Sequence, residues 1–534
     1  MVSGYNLCYQ WRKKFKVCFF FISEIRFIIG KAGHLDCMIC VFDTKKTQVY
    51  GIKSILRIME ECLMVTTVQR SFRKEVLHAL HKAKEVNHAV LISYSRQIES
   101  LDPLSFFNYG AKKYTGNRFF WSDPESELTI VGLGKEAVFQ TNQKNSERYR
   151  EVFEQWERFK KTAFHIYEEE KLQHSAVGPV LFGGFSFDPC EERGTQWDHF
   201  SEGDFFVPAL MLTMTAEGPF LTVNRWVSGE EEAEAVLEGL KAFAADFVVP
   251  GFDQGDQALI TASEEMDKDD WLKAIETATS QIKEKQYDKV VLARELLLTF
   301  DGPVQIEPVL KTLLNDQQTS YVFAIEQEGK IFVGASPERL IKRDGSTVMS
   351  SCLAGSIKRG RDEEEDRRIG LELLNDEKNL LEHDIVVGMI QNAFESSCSE
   401  IKKPDGPVLY KTKSVQHLFT PIVGQLRESA SLFDLIEKLH PTPALGGAPQ
   451  KKAVEVIREI EPLSRGWYAA PIGWIDSQDN GEFAVAIRSG LIEGSTARLF
   501  AGCGIVEDSD PQSEYEETQI KLKPMISALG GERR

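Results

Sequence analysis

Tyr321-Val322-Phe323-Ala324-Ile325 and Ile331-Phe332-Val333-Gly334 are two apolar runs separated by the short polar stretch 326–330. β-Branched and aromatic residues dominate both, so they read as two strands with no helix between them. The pattern extends outward. Lys289 to Phe300 is a strongly apolar strand upstream, and Phe483 to Ile492 with Ala497 to Ala501 reads as an antiparallel pair downstream. From Phe119 to Val223 strands alternate with glycine-containing turns, as at Leu128 to Leu133 and Val180 to Phe187. Gly132-Leu133-Gly134-Lys135 lacks phosphate-loop spacing and reads as a turn. Strands in runs, rather than in strict alternation with helices, argue for an α+β fold with largely antiparallel sheets.

Helical spacing marks the flanking elements. Val76, Leu77, Leu80, Ala83 and Val86 predict a helix over Ser71 to Glu99. Glu230 to Phe247 is Ala/Leu-rich with acidic residues in its first turn, where the helix dipole favours them. Trp271 to Lys285 follows Asp270 as N-cap. Asp366 to Phe394 reads as one long helix, Pro449 to Ile460 as a helix opened by proline, and Pro511 to Ile526 as the last helix. The polar stretch Pro250 to Gln257 reads as a connection between an N-terminal part, 64–257, and a C-terminal part, 258–534. There is no internal repeat or low-complexity tract.

Composition narrows the function. The 534 residues carry a formal net charge of −18, which repels phosphate backbones and argues against a nucleic-acid partner. An anionic substrate would need local cations or a metal. The nine cysteines show one CxxC, Cys37 and Cys40, with no second pair at zinc spacing, so free thiols in a reducing cytoplasm are expected. No apolar run is long enough for a membrane span. Residues 1–63 are net basic and hold five of the nine cysteines. Trp11 to Lys16 followed by Val17 to Ile22 imitates a signal peptide, but Glu24 and Arg26 interrupt the run and no clean cleavage site follows. This segment reads as a non-native or disordered extension ahead of Met64.

Several residues are placed for chemistry. Glu514, Glu517 and Lys521 are spaced three and four apart, on one helical face. Glu382 lies on the long helix, and carboxylates from two facing helices suit a hard cation such as Mg2+. The competing reading is a solvated face with a Glu517–Lys521 salt bridge. Glu338 follows Ser336-Pro337, where proline stiffens the turn, and burial would raise its pKa to that of a general acid; a surface residue is the alternative. Lys289 opens an apolar strand, where desolvation would suit it to act as a base; a strand-edge lysine is the alternative. Gly502-Cys503-Gly504 lets a ligand approach the backbone but is not a dinucleotide fingerprint, and Cys503 has no neighbouring base. His440-Pro441-Thr442-Pro443-Ala444-Leu445-Gly446-Gly447 is a stiff loop with a flexible end, suited equally to line a site or to make a structural turn.

Taken together and in order, Lys289, Ala335-Ser336-Pro337-Glu338, Leu353-Ala354-Gly355-Ser356, Glu382-His383, His440-Pro441-Thr442-Pro443, Arg488 and Glu514 with Glu517 resemble the chorismate-utilising enzyme family. The resemblance runs closely from Asp267 to Leu529. It is weaker over 64–255, where Gly183-Gly184-Phe185-Ser186-Phe187-Asp188 carries it, and absent from 1–63. It implies two large antiparallel sheets in the core with helices outside. It implies Mg2+ on Glu382 and Glu517, with Glu514 direct or through water. The cation would hold the ring carboxylate of chorismate, and Arg488 with Tyr468 the enolpyruvyl carboxylate. Lys521 and the backbone at Gly355, Gly502 and Gly504 would complete the clamp. Members that deliver ammonia carry Gln where this chain has Lys289, and aminodeoxychorismate synthases carry Lys where it has Ala354. The combination here is similar to the isochorismate and salicylate synthases, which use water, so no glutamine amidotransferase subunit is expected. Lys289 would be the base and Glu338 the acid. A salicylate synthase, a siderophore-pathway isochorismate synthase and an inactive chorismate-binding regulator are the alternatives; the long region before Asp267 resembles the menaquinone type.

Overall fold

A computed structural model describes residues 72–168, 174–245, 249, 251, 257–411 and 415–531, with four short strands before residue 51. The chain divides into two units, 1–75 and 76–534. In the first, Val17–Ile22, Ile25–Gly30, Ile39–Phe42 and Thr47–Tyr50 pair in that order as an antiparallel sheet. Cys37, the boundary at residue 63 and most of the 250–257 connection lie outside the described residues.

The second unit is built on two sheets, of 10 and 13 strands among the described residues, with helices around them. In the larger sheet Lys289–Phe300, Thr496–Ile505, Ser489–Glu493, Lys330–Ser336, Tyr321–Gln327 and Arg118–Ser122 are successive neighbours. In the smaller one Thr347–Lys358, Arg339–Asp344, Gly481–Val485, Pro471–Asp476 and Val180–Phe185 follow one another. Both sheets thus mix strands from either side of residue 257. Their described pairings are antiparallel apart from Val90–Gln97 with Ala163–Tyr167, which is parallel. Aromatic side chains join the inner faces. Phe119 of the larger sheet stacks on Phe182 of the smaller with centroids 3.9 Å apart, and Trp121 meets the same ring edge-on. Each such buried ring stabilises the fold by about 1.5–3 kcal/mol. Gly132 belongs to this packing. A Cβ there would lie 2.1 Å from the Phe119 ring, so the glycine clears the inter-sheet face.

Several boundaries differ from the sequence reading. The helix expected through Glu99 ends at residue 86; Asn87 takes a left-handed φ of 55°, and Val90–Gln97 is a strand. That strand is buried on both faces over most of its length, so it lacks the alternation that would have marked it. The long helix is two, Glu363–Leu374 and Glu377–Ser397. Asp376 starts the second by accepting from the Asn379 backbone at 2.7 Å, an N-cap hidden inside a continuous apolar period. Lys268–Lys283 begins earlier than expected: Asp267 takes the cap position, and Asp270 instead pairs with Lys273 in the first turn. Pro449 is likewise the cap residue of Gln450–Ile460 rather than its first helical residue. Phe483 to Ile492 is not one strand. Gly481–Val485 lies in the smaller sheet and Ser489–Glu493 in the larger, where it pairs with Thr496–Ile505.

Candidate active site

The split at 486–488 positions Arg488, which takes φ 51° where the chain passes from one sheet to the other. Glu338 occupies a similar crossing, between Lys330–Ser336 and Arg339–Asp344. The two crossings are neighbours. Val485 N–H donates to the Glu338 carbonyl, and Ala335 N–H to the Arg488 carbonyl, each at 3.1 Å. The crossings are rigid because strands of two sheets hold their ends.

Around Glu338 the charges alternate. Lys289, first residue of its strand, is ion-paired with Glu382 of the Glu377–Ser397 helix. Lys521, on the Pro511–Ala528 helix, pairs with Glu517 at 2.6 Å and donates to the Gly502 carbonyl at 2.9 Å. Both lysines act on the Glu338 carboxyl, so the Lys289–Glu382 and Lys521–Glu517 pairs both lie near it. Glu338 keeps partial solvent contact. Burial nevertheless pushes its carboxyl up to about 7, against the pull of the Thr442 hydroxyl and the two lysines. Thr442 Oγ1 is buried without a well-formed hydrogen bond among the described residues, so the attraction to Glu338 is electrostatic proximity rather than an aligned bond.

The glycines make room for this set. A Cβ on Gly504 would lie 2.7 Å from Lys289 Cε, and one on Gly502 would lie 3.4 Å from the Tyr468 hydroxyl. Tyr468 and Arg488 lie near each other, and burial raises the tyrosine's pKa and lowers the arginine's. The Arg488 guanidinium makes no hydrogen bond or ion pair with the described residues, so a half-buried cation stands ready for an anion. Gly355, with φ 81°, sits in a bulge where Leu353 faces Phe419 and Ser356 faces His417. His440 is buried, its Nε2 3.2 Å from the Ala469 carbonyl, and burial drives its pKa down to about 3, leaving it neutral. Burial also pushes the Cys503 thiol up, in keeping with an unreactive cysteine.

Among the described residues no three carboxylate, histidine or cysteine side chains are gathered closely enough to clasp an ion. Glu382 and Glu517 hold lysines, and Glu514 accepts from Ser509 at 2.8 Å. The donor chemistry suits a hard cation. Burial, and to a smaller extent the neighbouring Glu517, raise the Glu514 carboxyl against the pull of Ser509 and Lys521. Sequence reading treated Thr442 only as part of a loop and gave His383 no role; neither residue type signals its contacts without the fold. A separate cleft of about 350 Å³ is lined by Arg193, Asp267, Glu295 and Arg498 among others, and by none of the residues above. Of its cations, Arg498 pairs with Glu295, Arg193 with Glu202, and Arg294 reaches Glu265 at 3.6 Å.

A family model described as chorismate binding enzyme matches residues 78–530. The chain belongs to the chorismate-binding enzyme family. Its match to that family covers both sheets and every residue of the site just described. Isochorismate synthase MenF of Bacillus subtilis (strain 168) is 93% identical over 471 residues, covering 88% of this chain and 100% of the relative. Isochorismate synthase EntC of Escherichia coli (strain K12) is 39% identical over 419 residues, covering 78% and 95%. The solved menaquinone-specific isochorismate synthase of Escherichia coli superposes with a TM-score of 0.68 at 25% identity, over 85% of this chain and 100% of that one. The α+β architecture of two large sheets flanked by helices is the chorismate-binding fold. Among the described residues no helix is long and apolar enough to cross a membrane.

Proposed function

We propose that this chain is a cytoplasmic, Mg2+-dependent isochorismate synthase. It isomerises chorismate to isochorismate, adding water at ring C2 as the C4 hydroxyl leaves, and serves menaquinone synthesis. The observation that carries this reading is Glu338, with a carboxyl near 7, flanked by Lys289 and Lys521. A carboxyl at that value is protonated in a large fraction of molecules at neutral pH and can return the proton within a cycle. Lys289 takes a proton from the attacking water. The new C–O bond forms at C2, the two ring double bonds each shift by one position (C1=C2 to C1=C6 and C5=C6 to C4=C5), and the C4–O bond breaks as Glu338 protonates the departing hydroxyl. Proton exchange with solvent then resets both groups. Arg488 and Tyr468 hold the enolpyruvyl carboxylate, the arginine through its two-pronged fork. Lys521 and the backbone at Gly355, Gly502 and Gly504 complete the clamp.

Glu382 and Glu517, with Glu514 direct or through water, would hold the cation. What Mg2+ supplies there is charge toward the ring carboxylate, and it would take over Glu382 from Lys289. The charge count supports it. A dianionic substrate adds two negative charges to a site already holding Glu382, Glu514 and Glu517, and one divalent cation cancels those two. Water as nucleophile fits position 354, where alanine offers no amine, and makes an amidotransferase partner unnecessary. The likeness to the solved Escherichia coli enzyme, described as menaquinone-specific, supports the menaquinone pathway. The test is turnover of chorismate by the purified full chain with Mg2+, products resolved by chromatography. Isochorismate alone is expected. Salicylate with pyruvate would mark a salicylate synthase, and binding without turnover an inactive regulator.

A further inference from the structure

His383 follows Glu382 on the Glu377–Ser397 helix and is fully buried. Its Nδ1 lies 3.0 Å from the Ala354 carbonyl and its Nε2 2.7 Å from the Thr420 hydroxyl. A carbonyl only accepts, so Nδ1 carries the proton and Nε2 accepts from Thr420. The Cys352 thiol packs against the same ring, its Sγ 3.3 Å from Nδ1 and 3.6 Å from the His383 carbonyl, to which it donates. Both ring nitrogens are therefore engaged by protein, and neither can serve a substrate as acid or base.

What the ring holds is informative. Ala354 and Gly355 are the two residues at which Thr347–Lys358 steps out of register with Val415–Leu426. A bulged peptide loses the regular ladder that would fix its direction, and a glycine at φ 81° adds freedom. His383 supplies the missing constraint from the helix side. It does so from the position next to Glu382, the partner of Lys289.

We propose that His383 is a positioning residue: by gripping the Ala354 carbonyl it sets the orientation of the Ala354–Gly355 peptide, and so of the backbone cradle that receives a carboxylate of chorismate. This rests on the function proposed above. A carboxylate is present in substrate and transition state alike, so a misdirected cradle weakens both equally and appears in KM rather than kcat.

The experiment compares His383→Leu, His383→Asn and Thr420→Val in the full chain by steady-state kinetics with chorismate and by thermal unfolding. His383→Leu removes the donor and is expected to raise KM about tenfold to a hundredfold, the usual worth of a hydrogen bond to a charged group, with kcat changed less than about threefold. His383→Asn can still donate to the Ala354 carbonyl and should recover most of the wild-type KM. Thr420→Val frees the ring to swing and should raise KM by a smaller factor at unchanged kcat; it is the decisive variant if His383→Leu does not fold. A purely structural role would lower the unfolding midpoint and the active fraction in all three with KM unmoved. That result, or equal KM values in the Leu and Asn variants, overturns the inference. Failure of the wild type to turn over chorismate would instead overturn the proposed reaction.

Discussion

Glu338 and Arg488 stand on adjacent crossings between the two sheets, locked by reciprocal backbone bonds of 3.1 Å from Val485 to the Glu338 carbonyl and from Ala335 to the Arg488 carbonyl. The proposed acid and the anion receptor are thus spaced by main chain, not by long flexible side chains. Such support holds reacting groups to the tolerance catalysis needs.

Lys289→Gln and Glu338→Gln should each reduce turnover about 10²- to 10⁴-fold, the usual range for losing a general base or acid. Gln is close in size to Glu and still hydrogen-bonds, so the loss should fall mainly on kcat. Steady-state assays that quantify isochorismate directly are the check. Near-wild-type kcat in either variant would reassign the water-activating pair.

The raised Glu338 carboxyl makes a signed prediction about pH. Unfolded, a glutamate titrates at about 4.3; folded, Glu338 titrates at about 7. Between those values the folded chain binds more protons than the unfolded one, so this group's contribution to stability is greatest at the acid end and declines as pH rises through the window. Glu338→Gln should therefore gain in unfolding midpoint relative to wild type as pH goes from 5 to 8. Turnover by wild type should also fall as pH rises past about 7. A midpoint difference that does not vary with pH would contradict the assignment.

Glu382→Ala or Glu517→Ala should abolish Mg2+-dependent turnover while leaving the fold intact. Their side chains are 40% and 50% exposed, so truncation opens no core cavity. Chelation of wild type should mimic both, with activity restored by added Mg2+. Full activity after chelation would remove the metal from the mechanism.

Gly504→Ala tests the lysine's placement. The new methyl would meet Lys289 Cε at 2.7 Å, and the lysine end is flexible enough to move aside. The variant should fold with an unfolding midpoint close to wild type yet lose about 10²-fold in kcat, the effect of displacing a reacting group by roughly 1 Å. Equal kcat would mean that Lys289 does not rely on that gap.

A chain beginning at Met64 should fold and retain wild-type kcat and KM. The basic, cysteine-rich residues 1–63 lie before the family match, which starts at residue 78. An insoluble or inactive shortened chain, beside an active full one, would show that the segment is needed.

The α+β class was legible because an apolar run such as Tyr321 to Ile325 carries its own strand signature, and runs without intervening helices imply antiparallel sheets. Lys289, Glu338, Glu382, Arg488 and Glu517 were legible as a set because their residue types and order match a family pattern, although each is unremarkable alone. Boundaries inside uniformly buried segments were not. Val90–Gln97 looks helical because burial on both faces erases alternation, and the break at Asn375 and Asp376 is a capping event that apolar periodicity passes over. Only the tertiary structure decided that Phe483 to Ile492 divides between two sheets, that Lys289 and Lys521 both act on one carboxyl, and that His383 grips the bulge at Ala354. These relations join residues far apart in the chain through packing and directional hydrogen bonds. Local sequence encodes the propensity of each segment, whereas the meeting of two segments is settled only when the whole core is buried.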